Sequence, residues 1–340
     1  MAPPSPINNG ATMKKIAKIS LWVLVCMLGL VVAAISLTIG WRPFVGPRMR
    51  ATTDRHFAST PERVARGRYL AQGLLGCETC HSPKEWTKHG APTVAGQEFG
   101  GQALTLPGFP GTLVASNITP AFSAAWTDDQ IARSIREGIG HDNRTIFPIM
   151  PYELYRHLSD DDVESVVVYL RSVAPVQNQL PQMKVNFPVN YLVRSAPEPV
   201  TQPVPGPNPN DSVARGKYLV SVGCGCHSVV EELPYGGGEH LEGPWGSVTS
   251  ANISPDPSGI SYYDEATFIK TLRTGYVGAR PLSPIMPYGE FQNLSDDDLK
   301  AIFAYLRTVP PVKHRVDNTL PPTYCKQCKQ KHGGGDQNQG

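Results

Sequence analysis

The sequence predicts an all-α protein, with two tandem helical domains behind one N-terminal transmembrane helix. Three observations carry that expectation. Ile19 to Ile39 is apolar apart from Ser, Gly and Thr. A set of short strings in residues 65–171 returns in residues 214–307. In both copies, apolar residues recur at helical spacing behind residues that cap helix N-termini.

As a helix, the run from Ile19 to Ile39 reaches ~30 Å at about 1.5 Å per residue, enough to cross a bilayer. A cleaved signal peptide is the competing reading, with Ala33-Ala34 as a crude cleavage site, but the apolar region of such peptides is usually shorter. The expected divisions are a cytoplasmic tail (1–18), an anchor (19–40) and a linker (41–59). Lys14, Lys15 and Lys18 precede the span and Arg42, Arg48 and Arg50 follow it, so charge leaves its orientation tied. Cys26 lies within the span and reads as a small apolar residue. A net charge of +2 over 340 residues gives no basic surface for nucleic acid. Thirty-three prolines and 32 glycines imply many loops.

The repeat is specific. Ala65-Arg66-Gly67-Arg68-Tyr69-Leu70 returns as Ala214-Arg215-Gly216-Lys217-Tyr218-Leu219, and Asn117-Ile118-Thr119-Pro120 as Asn252-Ile253-Ser254-Pro255. Pro148-Ile149-Met150-Pro151-Tyr152 returns unchanged as Pro284-Ile285-Met286-Pro287-Tyr288. Leu158-Ser159-Asp160-Asp161-Asp162 and Tyr169-Leu170-Arg171 come back at the same offset of 136 residues. Two units of about 100 residues are each of ordinary domain size. Between them, Val176 to Asn210 is rich in proline and reads as an extended spacer, with Val185 to Val189 apolar enough to pack on the first unit.

Each unit reads as helical. Thr60-Pro61-Glu62 opens a helix toward the first cysteine pair. Thr127 with Gln130 forms a capping box. Ser159 caps a helix whose Val163, Val166, Val167 and Leu170 share one face, and Leu299, Ile302, Phe303 and Leu306 repeat that stripe after Ser295. Gly67 and Gly216 are placed to let the closing helices approach at Tyr169 and Tyr305.

Cys77-Glu78-Thr79-Cys80-His81 is C-x-x-C-H, the pattern that attaches a c-type haem. Two thiols at this spacing can add to the two vinyl groups, and the next imidazole becomes the proximal iron ligand. A near-copy stands at Gly223-Cys224-Gly225-Cys226-His227, where only Gly225 separates the thiols. That spacer is too short for both thiols to reach both vinyls. A second haem is therefore expected on one thioether through Cys226, with Cys224 free or loosely engaged. Loss of that haem, leaving a docking module, is the alternative. Bacterial attachment of this kind occurs outside the cytoplasm, which puts the bulk of the chain in the periplasm.

A haem iron held by one histidine needs a sixth ligand, or it opens to small molecules. Met150 lies 69 residues after His81, and Met286 lies 59 after His227. Proline at −2 and +1 stiffens each methionine loop. Two thioether ligands suit an electron carrier. A dihaem peroxidase, which needs an open iron, fits these loops poorly. No convincing acid, base and nucleophile set is present.

Cys325-Lys326-Gln327-Cys328, with His332 four residues on, is not a third haem motif, because no imidazole directly follows the second cysteine. The spacing suits zinc with His314 as a possible fourth ligand, whereas outside the cytoplasm a disulfide is the simpler expectation. Both stay open, as does neither. Gly333 to Gly340 reads as a disordered tail.

Together these strings resemble the bacterial class I cytochrome c family, specifically the cytochrome c subunits of membrane-bound alcohol, aldehyde and gluconate dehydrogenases. The resemblance implies two tandem class I cytochrome c domains, 60–175 and 211–312, joined by the 176–210 linker and followed by a tail, 313–340. It implies two haem c groups: one with Cys77, Cys80, His81 and Met150, the other with Cys226, His227 and Met286. Asn117 and Asn252 are implied near the propionates. It also implies an electron carrier rather than an enzyme, anchored in the bacterial inner membrane. The donor would be a dehydrogenase or quinol-oxidising complex, and the acceptor a cytochrome or terminal oxidase. Such subunits usually carry three haem units and a C-terminal anchor, and this chain departs from both.

Overall fold

A computed structural model describes residues 9–339. The chain is mostly helical, but its described residues also form a three-stranded sheet and three two-stranded ribbons, all antiparallel. The all-α expectation is therefore too strict. The strands are two to five residues long, set among glycines, and too short to show a period of two.

The N-terminal helix runs from Asn9 to Leu37, and its stretch Met13–Leu37 is long and apolar enough to cross a membrane, with none of it buried against the rest. That fits a single-pass anchor. The helix starts before the expected span because Lys14, Lys15 and Lys18 are good helix formers that simply continue it. Residues 9–18 are thus helix rather than tail, while residues 1–8 lie outside the described residues. The helix also stops short of residue 40: Gly40 takes a left-handed φ of 67°.

The following segment is docked, not free. Arg50 pairs with Asp129 at 2.7 Å and with Glu137 at 2.7 Å, and the Thr53 N–H donates to Asp129. Burial alone would raise the Asp129 carboxyl, but its bonds from Arg50 and Thr53 outweigh that and hold it below its ordinary value.

Each repeat is built on one helix crossing. In the first, the opening helix Pro61–Tyr69 packs on the closing helix Asp160–Ser172. In the second, Ser212–Gly223 packs on Asp296–Leu306. The glycines do what their recurrence predicts. A Cβ on Gly67 would lie 1.9 Å from the Ser165 carbonyl oxygen and 2.6 Å from Tyr169 Cβ. On Gly216 it would lie 1.9 Å from Ala301 O and 2.9 Å from Tyr305 Cβ. The apolar stripe of each closing helix is buried in this crossing. Thr60, Thr127, Ser159 and Ser295 all cap as expected.

The linker contributes a strand. Lys184–Val185 pairs with Gly111–Ala115 of the first repeat, while Phe187 stays exposed. The expected disordered tail is ordered through Gln339. Lys331–His332 pairs with Thr323–Tyr324, and the buried Asn338 amide donates to Thr323 and to the His332 carbonyl. Polar composition hid this, because the order comes from one carboxamide satisfying several distant backbone groups. Gly340 lies outside the described residues.

The two repeats are cross-braced. Asp162 accepts two bonds from Arg66 of its own repeat, at 2.7 and 2.8 Å, and one from the Tyr218 hydroxyl of the other, at 2.6 Å. Asp298 accepts from Arg215 of its own repeat and from the Tyr69 hydroxyl of the other. Each tyrosine oxygen also accepts the N–H of the opposite capping serine, Ser159 or Ser295. Burial first, then the partnered carboxylate, raises the Tyr69 and Tyr218 phenols above their ordinary value. Tyr218→Phe leaves a buried carboxylate one donor short, and the expected cost is about 1–3 kcal/mol. Urea unfolding of the detergent-solubilised chain measures it, and Tyr69→Phe should match it within error.

Candidate functional site

The first cysteine pair sits on a short helix, Cys77–His81, entered through Gly76 at a left-handed φ of 54°. Its position is set from both sides. The buried Tyr155 hydroxyl donates to the Leu75 carbonyl at 2.7 Å. The Gln102 amide donates to Cys80 O at 3.1 Å and to Ser82 O at 2.6 Å. Gln102 belongs to the hairpin Gln102–Leu104 with Gly111–Ala115, which delivers the next carbonyl, Ser116, to His81. His81 Nδ1 lies 2.7 Å from Ser116 O. A carbonyl only accepts, so Nδ1 carries the proton and Nε2 keeps its lone pair. Burial lowers the His81 pKa, which keeps the ring neutral. Burial likewise pushes the Cys77 thiol up to about 12 and Cys80 to about 11. The two sulphurs are not bonded to each other.

The second site reaches the same end by a shorter route. His81 stands 14 positions after Gly67, but His227 only 11 after Gly216. The opening helix of the second repeat runs straight to Gly223, and a 3₁₀ turn, Gly225–His227, follows Cys224. The histidine geometry survives this loss: His227 Nδ1 lies 2.7 Å from Ala251 O, delivered by the hairpin His240–Gly243 with Gly246–Thr249. Burial lowers its pKa also, and pushes the Cys224 thiol up to about 12. Cys226 is exposed.

The methionine loops are conformational copies. Met150 N–H bonds to Phe147 O at 3.1 Å, and Met286 N–H to Ser283 O at 3.0 Å. Across the following proline, the methionine carbonyl accepts from the tyrosine N–H, at 2.8 Å in one loop and 2.7 Å in the other. Pro151 (φ −79°, ψ 50°) and Pro287 (φ −78°, ψ 52°) sit at the centre of these inverse γ-turns. Both methionines are half-buried against the core.

Asn117 and Asn252 both hold backbone. Asn117 donates to Val176 O and accepts from Thr119, and Asn252 donates to Val312 O and His314 O and accepts from Ser254. These carboxamides pin the segment after each closing helix. Both are buried, and their amides are used to hold these segments.

Sequence reading did not foresee that the two sites face each other. The helix after each methionine packs on the cysteine motif of the opposite repeat. Glu290, on Tyr288–Phe291, accepts from Thr79 at 3.2 Å and pairs with the buried Lys84 at 2.6 Å. Its counterpart in the first repeat is Leu154, on Tyr152–Tyr155. A Cβ on Gly225 would lie 2.1 Å from Leu154 Cδ1, and one on Gly223 2.8 Å from Leu74 Cδ1. Burial, then the neighbouring Cys77, Cys80 and Cys226, pushes the Tyr155 phenol well above its ordinary value, so both motifs border one tyrosine. Glu290→Gln strands the Lys84 ammonium without a countercharge and should destabilise the chain by about 3–5 kcal/mol. In chemical unfolding, Lys84→Met combined with Glu290→Leu should recover most of that loss.

No family model matches the chain. It is 30% identical over 290 residues to the fructose dehydrogenase cytochrome subunit of Gluconobacter japonicus, covering 78% of this chain and 57% of that protein. It is 28% identical over 278 residues to the cytochrome c subunit of a quinone alcohol dehydrogenase of Gluconobacter oxydans, covering 73% and 55%. It is 26% identical over 263 residues to a dihaem cytochrome c-type protein of Cereibacter sphaeroides, covering 70% and 83%. The chain thus spans a little over half the length of the two dehydrogenase subunits. Over most of its own length, it is similar to cytochrome c subunits of dehydrogenases and to a dihaem cytochrome c.

Proposed function

We propose that this chain is a membrane-tethered dihaem cytochrome c that passes single electrons from a dehydrogenase or quinol-oxidising complex to a respiratory acceptor. Residues 60–175 and 211–312 are read as two class I cytochrome c domains. The supporting observation is the pair of histidines, each pinned through Nδ1 to a backbone carbonyl with Nε2 free, and each matched by an identical methionine turn.

The donor set fits haem c. Cys77 and Cys80 are unlinked thiols suited to two thioethers, and His81 and Met150 would hold the iron. Cys226, His227 and Met286 serve the second group, with Cys224 beside it. When bound, haem c supplies a one-electron ferric/ferrous couple. The protein's part would be to hold the histidine and methionine donors, keep the imidazoles neutral and exclude water. Iron held by His81 with Met150, and by His227 with Met286, would suit electron transfer rather than binding of oxygen or peroxide. The apolar helix holds the chain to the bacterial inner membrane, with the repeats on the periplasmic side, where covalent haem attachment occurs. Similarity to subunits of fructose and alcohol dehydrogenases supports a dehydrogenase as donor.

A second reading, a haemless second repeat acting as a docking module, is favoured by the three residues missing before His227. The pyridine haemochrome of the purified chain separates the two: two equivalents are expected, and one would establish the docking module. Met150→Ala and Met286→Ala should each remove part of the near-infrared sulphur-to-iron band. An unchanged band in both would refute thioether ligation.

A further inference from the structure

The C-terminal residues take no part in the proposed electron path, yet four of their side chains converge. One ligating atom each of His314, Cys325, Cys328 and His332 lies within 4.8 Å of the other three. All four residues are buried, at 1%, 0%, 7% and 2% exposure. Local backbone explains how. The turn between the cysteines is closed by Cys325 N–H to Gln330 O at 2.8 Å and Lys329 N–H to Cys325 O at 3.0 Å, with Lys329 left-handed at φ 63°. The ribbon Thr323–Tyr324 with Lys331–His332 then returns His332 beside the thiols. His314 arrives on the segment after the last helix, its N–H donating to Ser258 Oγ at 3.0 Å.

The imidazoles are oriented for ligation. His314 Nδ1 lies 2.7 Å from Gly236 O, and His332 Nδ1 lies 2.8 Å from Gly333 O. Each Nδ1 therefore carries the proton, and each Nε2 holds a lone pair. His314 Nε2 is 3.3 Å from Cys325 Sγ. His332 Nε2 is buried and has no hydrogen-bond partner among the described residues. A buried nitrogen acceptor left unpaired is costly, and a Cys325–Cys328 disulfide would leave it so.

We propose that His314, Cys325, Cys328 and His332 bind one Zn²⁺ as a closed structural site, and that this knot fastens the loop following His227. Two sulphurs and two imidazole nitrogens form a common tetrahedral zinc set. Binding deprotonates both thiols and releases two protons to solvent; no oxidation state changes. The dication and two thiolates then sum to zero charge, which suits a buried site. The fastening is visible in the contacts. His314 holds Gly236 O, and the Gly237 N–H donates to the His227 carbonyl at 3.0 Å. A Cβ on Gly238 would lie 2.6 Å from Cys328 Cβ, so loop and knot are in direct contact. The knot therefore stands directly behind the shortened cysteine motif.

The test is elemental analysis of the full-length, membrane-extracted protein by inductively coupled plasma mass spectrometry. One zinc per chain is expected, independent of the iron count. Zinc-edge absorption should show two sulphurs at about 2.3 Å and two nitrogens at about 2.0–2.1 Å. Alkylation of Cys325 and Cys328 should be slow until EDTA removes the metal. A protein without zinc overturns the site, whether its cysteines form a disulfide (a peptide mass lower by two hydrogens) or stay as free thiols. Iron in this site overturns it too. Hydrogen exchange reads the fastening role: EDTA should expose the Gly236–Gly238 amides while leaving the 102–115 hairpin protected. Unchanged protection of those amides would remove the fastening role. Because all these readouts use the wild-type chain, poor folding of Cys325→Ser or Cys328→Ser does not blunt them.

Discussion

Two buried carboxylates, Asp162 and Asp298, hold the arrangement of this molecule. Each sits in the first turn of a closing helix, where the helix dipole favours a negative charge. Each takes an arginine from its own repeat and a tyrosine from the other. A carboxylate removed from water needs its oxygens filled, and no group within one repeat supplies the full set. Docking of the second repeat completes the shell of the first, and the reverse holds as well. The relative orientation of the repeats is thereby fixed by hydrogen bonds with angular demands, where apolar packing alone would allow sliding. That orientation is what brings each cysteine motif against the other repeat's methionine helix.

Each imidazole is oriented by a backbone carbonyl rather than by another side chain. The small hairpins exist to carry Ser116 and Ala251 to the imidazoles. The prolines hold each methionine in a turn that needs no partner outside the loop. Such a site tolerates drift in surrounding side chains, and the two copies have drifted while their hydrogen-bonded geometry has stayed the same. The shortened approach to His227 is the clearest case. Three residues are gone, yet the ring meets its carbonyl at the same 2.7 Å.

Much of this was legible from residues alone. The repeats, the capping residues, the packing glycines and the methionine loops are local strings, and local strings encode local geometry. Tyr69 and Tyr218 were visible as repeated residues, but their partners lie 229 and 56 positions away in the chain, and nothing nearby signals them. The hairpins escaped because pairs of three to five residues leave no periodic trace. Asn117 and Asn252 were visible as repeated residues too, but their backbone partners lie 59 to 62 positions on, and nothing nearby signals them. The C-terminal segment misled. Its glycines and polar residues look loose, but Asn338 and four potential metal ligands fold it around a buried point.

Where the repeats differ, they differ in matching pairs. Thr79 faces Glu290, and at the equivalent contact Gly225 faces Leu154. Lengthening the side chain at 225 would collide with the neighbouring repeat, while shortening Glu290 would abandon a lysine there. Pulled apart, each repeat would lose part of its own wall: Asp162 and Asp298 would each lack a tyrosine, and Lys84 would lose its carboxylate.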